Sequence, residues 1–259
     1  MNLNTILYQT NAGITTITLN RQDRFNAFSG EMRKELLAAL QKANDDKECR
    51  VIVLTGEGKA FCAGQDLKDI EGDQVDFVSI LKNGYNPLIQ YMRDLPKPII
   101  GRINGVAAGA GCSLALACDF IIADRQASFV EAFVSIGLVL DSGSSYFLPR
   151  LVGSARAFEL ATMGNKLTAD QALDWGMINR VADTVALDEE VMKVATGYAN
   201  APTQAIGMIK KMLNDSMHSS LNEVLADETN YQKLAGQTFD FKEGVSAFLE
   251  KRTPIFKGC

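Results

Sequence analysis

The run Val51-Ile52-Val53-Leu54 has no polar residue at either alternate position, so a strand built from it must be covered on both faces. Such a strand sits inside a sheet with a packed layer on each side, which points to an α/β chain. Upstream, Ile14-Thr15-Thr16-Ile17-Thr18-Leu19 alternates in part like a half-buried strand. Between the two, Met32, Leu36, Leu37, Leu40 and Ala43 recur at helical spacing with charged residues on the other face, and Ser29 stands where it would cap that helix. Further strands are expected at 98–103, 120–123 and 128–130, separated by small-residue loops and short helices. From residue 155 the pattern turns helical, with helices expected at 155–163, 168–175 (capped by Thr168), 188–200, 203–213 after Pro202, 220–234 and 240–251. The reading is an α/β body over 1–195 and an all-helical region over 196–259.

A chain of 259 residues with 47% apolar and 22% charged residues can bury a substantial core, and no apolar run reaches the ~18 residues of a membrane span. The stretch Met1-Asn2-Leu3-Asn4-Thr5 lacks the basic flank and apolar core of a secretory signal, so a cytoplasmic protein is expected. The five cysteines form no CxxC pair and read as reduced, mostly buried thiols. A net charge of −5, with both signs mixed along the chain, offers no stripe for nucleic acid. The one histidine, His218, lies in the polar helix end Asn214-Asp215-Ser216-Met217-His218 and reads as solvated. Without a placed imidazole, Ser-His-Asp and Cys-His chemistry is excluded, zinc is not expected, and acid/base work falls to carboxylates.

Two Gly-rich stretches follow strand-like runs. The first is Gly56-Glu57-Gly58-Lys59-Ala60-Phe61-Cys62-Ala63-Gly64-Gln65-Asp66-Leu67; the second spans Asn104-Gly105-Val106-Ala107-Ala108-Gly109-Ala110-Gly111 and enters a small-residue helix. Both would turn the backbone sharply and expose its N–H groups, the second at a helix start near Ala110. Neither completes a P-loop, because Ala60 follows Gly58-Lys59, and neither gives a dinucleotide fingerprint with its ribose-binding acid.

In this order and spacing the two stretches resemble those of the enoyl-CoA hydratase/isomerase (crotonase) superfamily. Arg24-Phe25-Asn26-Ala27-Phe28, Leu95-Pro96-Lys97-Pro98-Ile99-Ile100, Ile136-Gly137-Leu138-Val139-Leu140-Asp141-Ser142-Gly143 and Lys251-Arg252-Thr253-Pro254-Ile255-Phe256 resemble further segments of that family. The resemblance implies a spiral of ββα units, like that of ClpP, with a helical C-terminal trimerisation or lid region, and trimers that pair into hexamers. It implies an acyl-CoA thioester substrate, with coenzyme A as part of the substrate and no further cofactor or metal. The backbone N–H groups of Gln65 and Ala110 would hold the thioester oxyanion, and Arg24, Ala63, Gln65, Asp66, Leu67, Phe256 and Lys257 would contact CoA.

Hydratases of the family carry glutamates at the positions of Ser113 and Phe133, and both are missing here. Asp141 stands where isomerase-like members carry an acid, and one carboxylate can take a proton from one carbon and return it to another. An Asp before Ser-Gly also commonly caps a turn or helix. Glu131, two residues from the hydratase position, reads as structural or solvated. Leu140 and Ser144-Ser145 depart from the family's usual residues beside Asp141. The segments 230–236 and 241–252 resemble the ring-epoxide isomerase branch of phenylacetate breakdown. The reading is an acyl-CoA isomerase, with a hydratase, another acyl-CoA chemistry such as dehalogenation by nucleophilic Asp141, and a silent acyl-CoA-binding subunit as the alternatives.

Overall fold

The computed structural model describes residues 3–70 and 75–259; Met1 and Asn2 of the N-terminal stretch lie outside them. Strands β1 (Ile6–Asn11) and β2 (Ile14–Leu19) form an antiparallel hairpin. After α1 (Gly30–Asp45) crosses over, β3 (Val51–Gly56) pairs parallel to β2. The chain then repeats one path, in which a strand of the large sheet turns a corner into a short strand of a second sheet and returns through helix. The first turn is β3, β4 (Ala60–Cys62), α2 (Phe77–Ile80) and α3 (Asn86–Asp94). The second is β5 (Ile99–Ile103), β6 (Val106–Ala108) and α4 (Ala110–Leu116); the third is β7 (Phe120–Asp124), β8 (Ser128–Val130), α5 (Ser144–Val152) and α6 (Ser154–Met163).

Strand β9 (Leu167–Thr168), α7 (Ala169–Asp174) and β10 (Arg180–Ala182) finish the sheets, which run β1-β2-β3-β5-β7-β10 and β4-β6-β8-β9. Helices α8 (Leu187–Ala199), α9 (Thr203–Ser216), α10 (Leu221–Ala235) and α11 (Phe239–Glu250) complete the chain. This is the spiral that the resemblance implied. Among the described residues no helix is long and apolar enough to cross a membrane.

Every residue of β3 is buried, as its unbroken apolar run requires. Ile52 and Leu54 pack with Ile17, Leu19, Met32 and Leu36 on the α1 side, while Val51 and Val53 pack with Ile100, Ile122, Leu187 and Val191 on the α8 side. Each such side chain contributes about 1.5–3 kcal/mol through burial. Ser29 caps α1 as expected, accepting from the Met32 N–H at 3.1 Å.

Between the two sheets the corners are tight. A Cβ on Gly56 would lie 2.3 Å from the Ala60 carbonyl oxygen, and one on Gly105 would lie 2.1 Å from that of Lys59. Two amide side chains staple these corners. Asn26 donates to the carbonyls of Glu57 and Ala60, and Asn104 donates to Gly58 and Ala60 while accepting from the Gly56 N–H.

Lys97 explains its motif in the same way. Its ammonium, on a residue 9% exposed, donates to the carbonyls of Ala43, Asn44 and Asp46 at 2.7–2.9 Å and so closes the C-terminus of α1. Replacing Lys97 by Met is expected to cost roughly 1.5–3 kcal/mol, since a charged donor is lost and buried carbonyls are left unpaired. A urea titration against the parent protein measures this directly; an unchanged midpoint would refute it.

Two expectations need correction. The charged residues of α1 are not all on its outer face, because Arg33 stands on the apolar stripe with Leu36 and Leu40 and is buried. Helix also begins before residue 155: α5 precedes it, with Pro149 inside interrupting the hydrogen-bond ladder and the sequence signal alike. The four cysteines Cys49, Cys62, Cys112 and Cys118 are free and buried, as expected, and Cys259 is free and exposed.

Candidate active site

The two Gly-rich stretches meet where the first and second turns of the spiral stack. A Cβ on Gly64 would sit 2.7 Å from the Ala108 carbonyl oxygen and 3.6 Å from the Ala110 nitrogen, so only glycine lets the loops approach this closely. Gly64 has φ +92° and Gly109 φ +50°, both in the region that favours glycine. On one side, Phe28 donates its N–H to the Gly64 carbonyl at 2.7 Å and accepts from the Asp66 N–H at 3.0 Å. In such parallel pairing the intervening peptide faces the other way, and the Gln65 N–H has no backbone acceptor among the described residues. The Ala110 N–H is the first of α4 and also has none. Two unpaired donors therefore emerge from neighbouring loops.

The Gln65 side chain is clamped from three directions. Its Oε1 accepts from Arg33 Nη1 and from the Tyr85 hydroxyl, each at 2.7 Å, and its Nε2 donates to the Phe28 and Asp66 carbonyls. The Arg33 guanidinium stacks over the Tyr85 ring at 4.7 Å. Arg33 and Tyr85 are absent from the sequence-based site. A signal existed for Arg33, which precedes Leu36, Leu37 and Leu40 at spacings of a helical face. Tyr85 carried no comparable mark.

A cleft of about 230 Å³ opens in front of the two amides. Ile80, Leu81 and Tyr85 line one wall, the latter two on a widened helical turn, Leu81–Tyr85, between α2 and α3. Phe133, Ile136 and Leu138 line the other. Asp141 is the one carboxylate on the cleft wall among the described residues. Burial pushes its carboxyl above the ordinary aspartate range, while the Ser142 hydroxyl and the Arg33 charge pull it back.

Asp141 does not cap a helix: its Oδ1 accepts from Ser142 Oγ at 2.7 Å, and the residue before α5 is Gly143, which makes no side-chain cap. Ser142 and Gly143 both have positive φ, at +52° and +84°. That turn is held by the Asp141 carbonyl, which accepts from Ser113 Oγ at 3.1 Å and from the Ser144 N–H at 3.0 Å.

The other residues matched to CoA contact are dispersed. Ala63, Gln65 and Leu67 line the cleft. Asp66 is buried and turned to Arg21, 2.9 Å away, which holds its carboxyl low against the cost of burial. Arg24 is half-exposed, 3.5 Å from Asp23. Phe256 and Lys257 lie on a C-terminal strap tied down by Asp240, which accepts from the N–H groups of Lys257 and Gly258 at 2.7 and 2.8 Å. They do not line this cleft. His218 is exposed beside Tyr146, as its polar surroundings predicted.

Known proteins are similar to the chain over nearly its whole length. A family profile described as enoyl-CoA hydratase/isomerase matches residues 9–259. The chain is 45% identical over 257 residues to the 1,2-epoxyphenylacetyl-CoA isomerase of Escherichia coli, covering 98% of each protein. It is 42% identical over 258 residues to a protein of Rhodobacter capsulatus described as a "Probable enoyl-CoA hydratase", covering 100% of both. The crystal structure of an enoyl-CoA hydratase from Bacillus anthracis superposes with a TM-score of 0.93 at 32% identity, covering 99% of this chain and 100% of that one. With its crotonase spiral, its paired Gly-rich loops and these relatives, the chain belongs to the enoyl-CoA hydratase/isomerase family.

Proposed function

We propose that the protein is an acyl-CoA isomerase in which the Asp141 carboxylate carries a proton between carbons of an enolate held by the Gln65 and Ala110 amides. The observation that carries this reading is the isolation of Asp141: no second carboxylate lines the cleft among the described residues. Adding water calls for a group to activate it and another to deliver its proton. Here Ser113 is committed to the Asp141 carbonyl and Phe133 presents a ring. Isomerisation needs one group that removes a proton and gives it back. Negative charge that develops on the thioester oxygen meets two fixed N–H donors, worth several kcal/mol in a site closed to water.

Two substrates suit the site: a 1,2-epoxyphenylacetyl-CoA, opened to its oxepin, and a 3-enoyl-CoA, shifted to the 2-enoyl isomer. The first draws support from the similarity to the Escherichia coli isomerase and from the largely apolar walls. The test is incubation with both thioesters and with crotonyl-CoA, followed by mass spectrometry and chromatography. Isomerisation leaves mass unchanged and shifts retention; hydration gives a product heavier by one water. Rapid water addition to crotonyl-CoA with no isomerisation of the other two would overturn the proposal in favour of a hydratase. Binding of the thioesters without conversion of any would favour the silent binding subunit.

The pH dependence follows from the burial of Asp141. Its base form is the active one, so kcat/KM should rise with pH through an acid limb centred above the ordinary aspartate value. A rate profile from weakly acidic to neutral pH checks this. An acid limb at or below the ordinary value would mean that desolvation does not tune the base.

The same reading includes division at about residue 195 and assembly into trimers and hexamers. Exposed Leu221, Phe248 and Leu249 on the helical region supply apolar surface for such contacts.

A further inference from the structure

Glu131 is a buried carboxyl that the proposed chemistry leaves unused. It follows β8 directly, is 2% exposed, and does not line the cleft. Its Oε1 accepts from Ser144 Oγ at 2.7 Å, and its Oε2 has no hydrogen-bond partner among the described residues. Among those residues no cation pairs with it. Its neighbours are the Ser144 hydroxyl and the Cys112 thiol, with the Asp141 charge further off.

Around Glu131 the two halves of the site are joined. One residue back, the Val130 carbonyl accepts from the Gly109 N–H at 2.9 Å and so fixes the peptide that precedes Ala110. Glu131 itself holds Ser144, whose N–H donates to the Asp141 carbonyl at 3.0 Å. A single two-residue segment thus touches the loop of the Ala110 amide and the turn of Asp141. Ser142 at positive φ makes that turn costly to maintain without outside support.

We infer that Glu131 is a positioning residue: acting through Ser144, it sets the spacing between the Asp141 carboxylate and the Ala110 amide. This rests on the isomerase reading given above. Burial and the Asp141 charge both drive the Glu131 carboxyl upward, toward its neutral form, against the pull of Ser144 and Cys112. A neutral acid is a hydrogen-bonding strut rather than a base, and glutamine reproduces its shape and its acceptor. The serine that departs from the family's usual small residue at 144 thereby has its partner.

The experiment compares Glu131→Leu, Glu131→Gln and Ser144→Ala, each checked for folding by thermal melting, with a 3-enoyl-CoA as substrate. Loss of alignment by a fraction of an ångström should lower kcat of Glu131→Leu by roughly 10- to 100-fold, with KM moved less than about threefold. Glu131→Gln should restore kcat to within about threefold of the parent, and Ser144→Ala should fall between. Combining Glu131→Leu with Ser144→Ala should give a variant no slower than Glu131→Leu alone, because both changes remove one link.

Parental kcat in folded Glu131→Leu, or in Ser144→Ala should the leucine variant not fold, would overturn the inference. So would a Glu131→Gln as inactive as Asp141→Asn, since the carboxyl would then act chemically. If Asp141→Asn keeps the parental rate, the proton-shuttle reading fails, whatever the Glu131 variants do. If it is inactive while Glu131→Leu is not, the positioning role alone fails.

Discussion

Asp141→Asn is expected to lower kcat for isomerisation by roughly 10²- to 10⁴-fold while changing KM by less than about threefold. Asparagine has the same size and can still accept from Ser142 Oγ, so the turn with its two positive-φ residues should persist. What disappears is the ability to hold a proton between its removal and its return. No other carboxylate stands on the cleft wall among the described residues, and Glu131 lies behind it. Steady-state kinetics with a 3-enoyl-CoA, together with titration of a non-reacting acyl-CoA, separates the two parameters. A variant that turns over at the parental rate would remove Asp141 from the mechanism.

Gly64→Ala should be nearly as damaging for a different reason. The added methyl group would meet the Ala108 carbonyl oxygen at 2.7 Å, and that carbonyl belongs to β6, which is paired on both sides in its sheet. The first loop must yield, carrying the Gln65 N–H away from the Ala110 N–H. Losing one aligned oxyanion donor costs roughly 10²- to 10³-fold in kcat. The residue must also hold φ +92° with a side chain, which costs about 1–3 kcal/mol of stability. Gly58→Ala is the control. Its φ is +75°, but the new methyl group meets only the Gln22 side chain, at 3.1 Å, so it should lose stability and keep kcat. If both variants melt lower yet Gly64→Ala remains fully active, the Gln65 amide does not hold the developing charge.

Much of this site could be read in the chain itself. Gln65, Ala110 and Asp141 stand out by motif position, and they line one cleft. The doubly covered β3, the Ser29 and Thr168 caps and the tail helices also followed from local pattern, because burial on both faces and capping leave marks within a few residues. The second sheet left little: β8 was expected at 128–130, but β4 and β6 were not. Its strands β4, β6 and β8 have three residues each, too few for alternation to emerge, and two of them run inside the Gly-rich stretches. Arg33 was passed over for its charge despite its place on the apolar face of α1, and the charge of Glu131 left its burial open. Composition places such residues in water, and only tertiary contacts supply the Gln65 amide, the Tyr85 hydroxyl and the Ser144 hydroxyl that make their burial tolerable. The cleft wall at α2 and the turn after it lacked a distinct signal because the widened turn breaks the helical period.

The stacking of successive spiral turns also bears on how the protein acquires activity. Ala60 of β4 lies against Val106 of β6, and β3 pairs with β5 and β5 with β7, so each sheet joins segments remote along the chain. Loop closure must precede every such pairing, which makes folding slow compared with a helical bundle of equal size. No continuous fragment of one turn can build the amide pair, since its two donors belong to different turns. Catalytic competence is therefore a late event in folding, gained only after the sheets have registered, and recovered activity after dilution from denaturant reports long-range assembly rather than early helix formation.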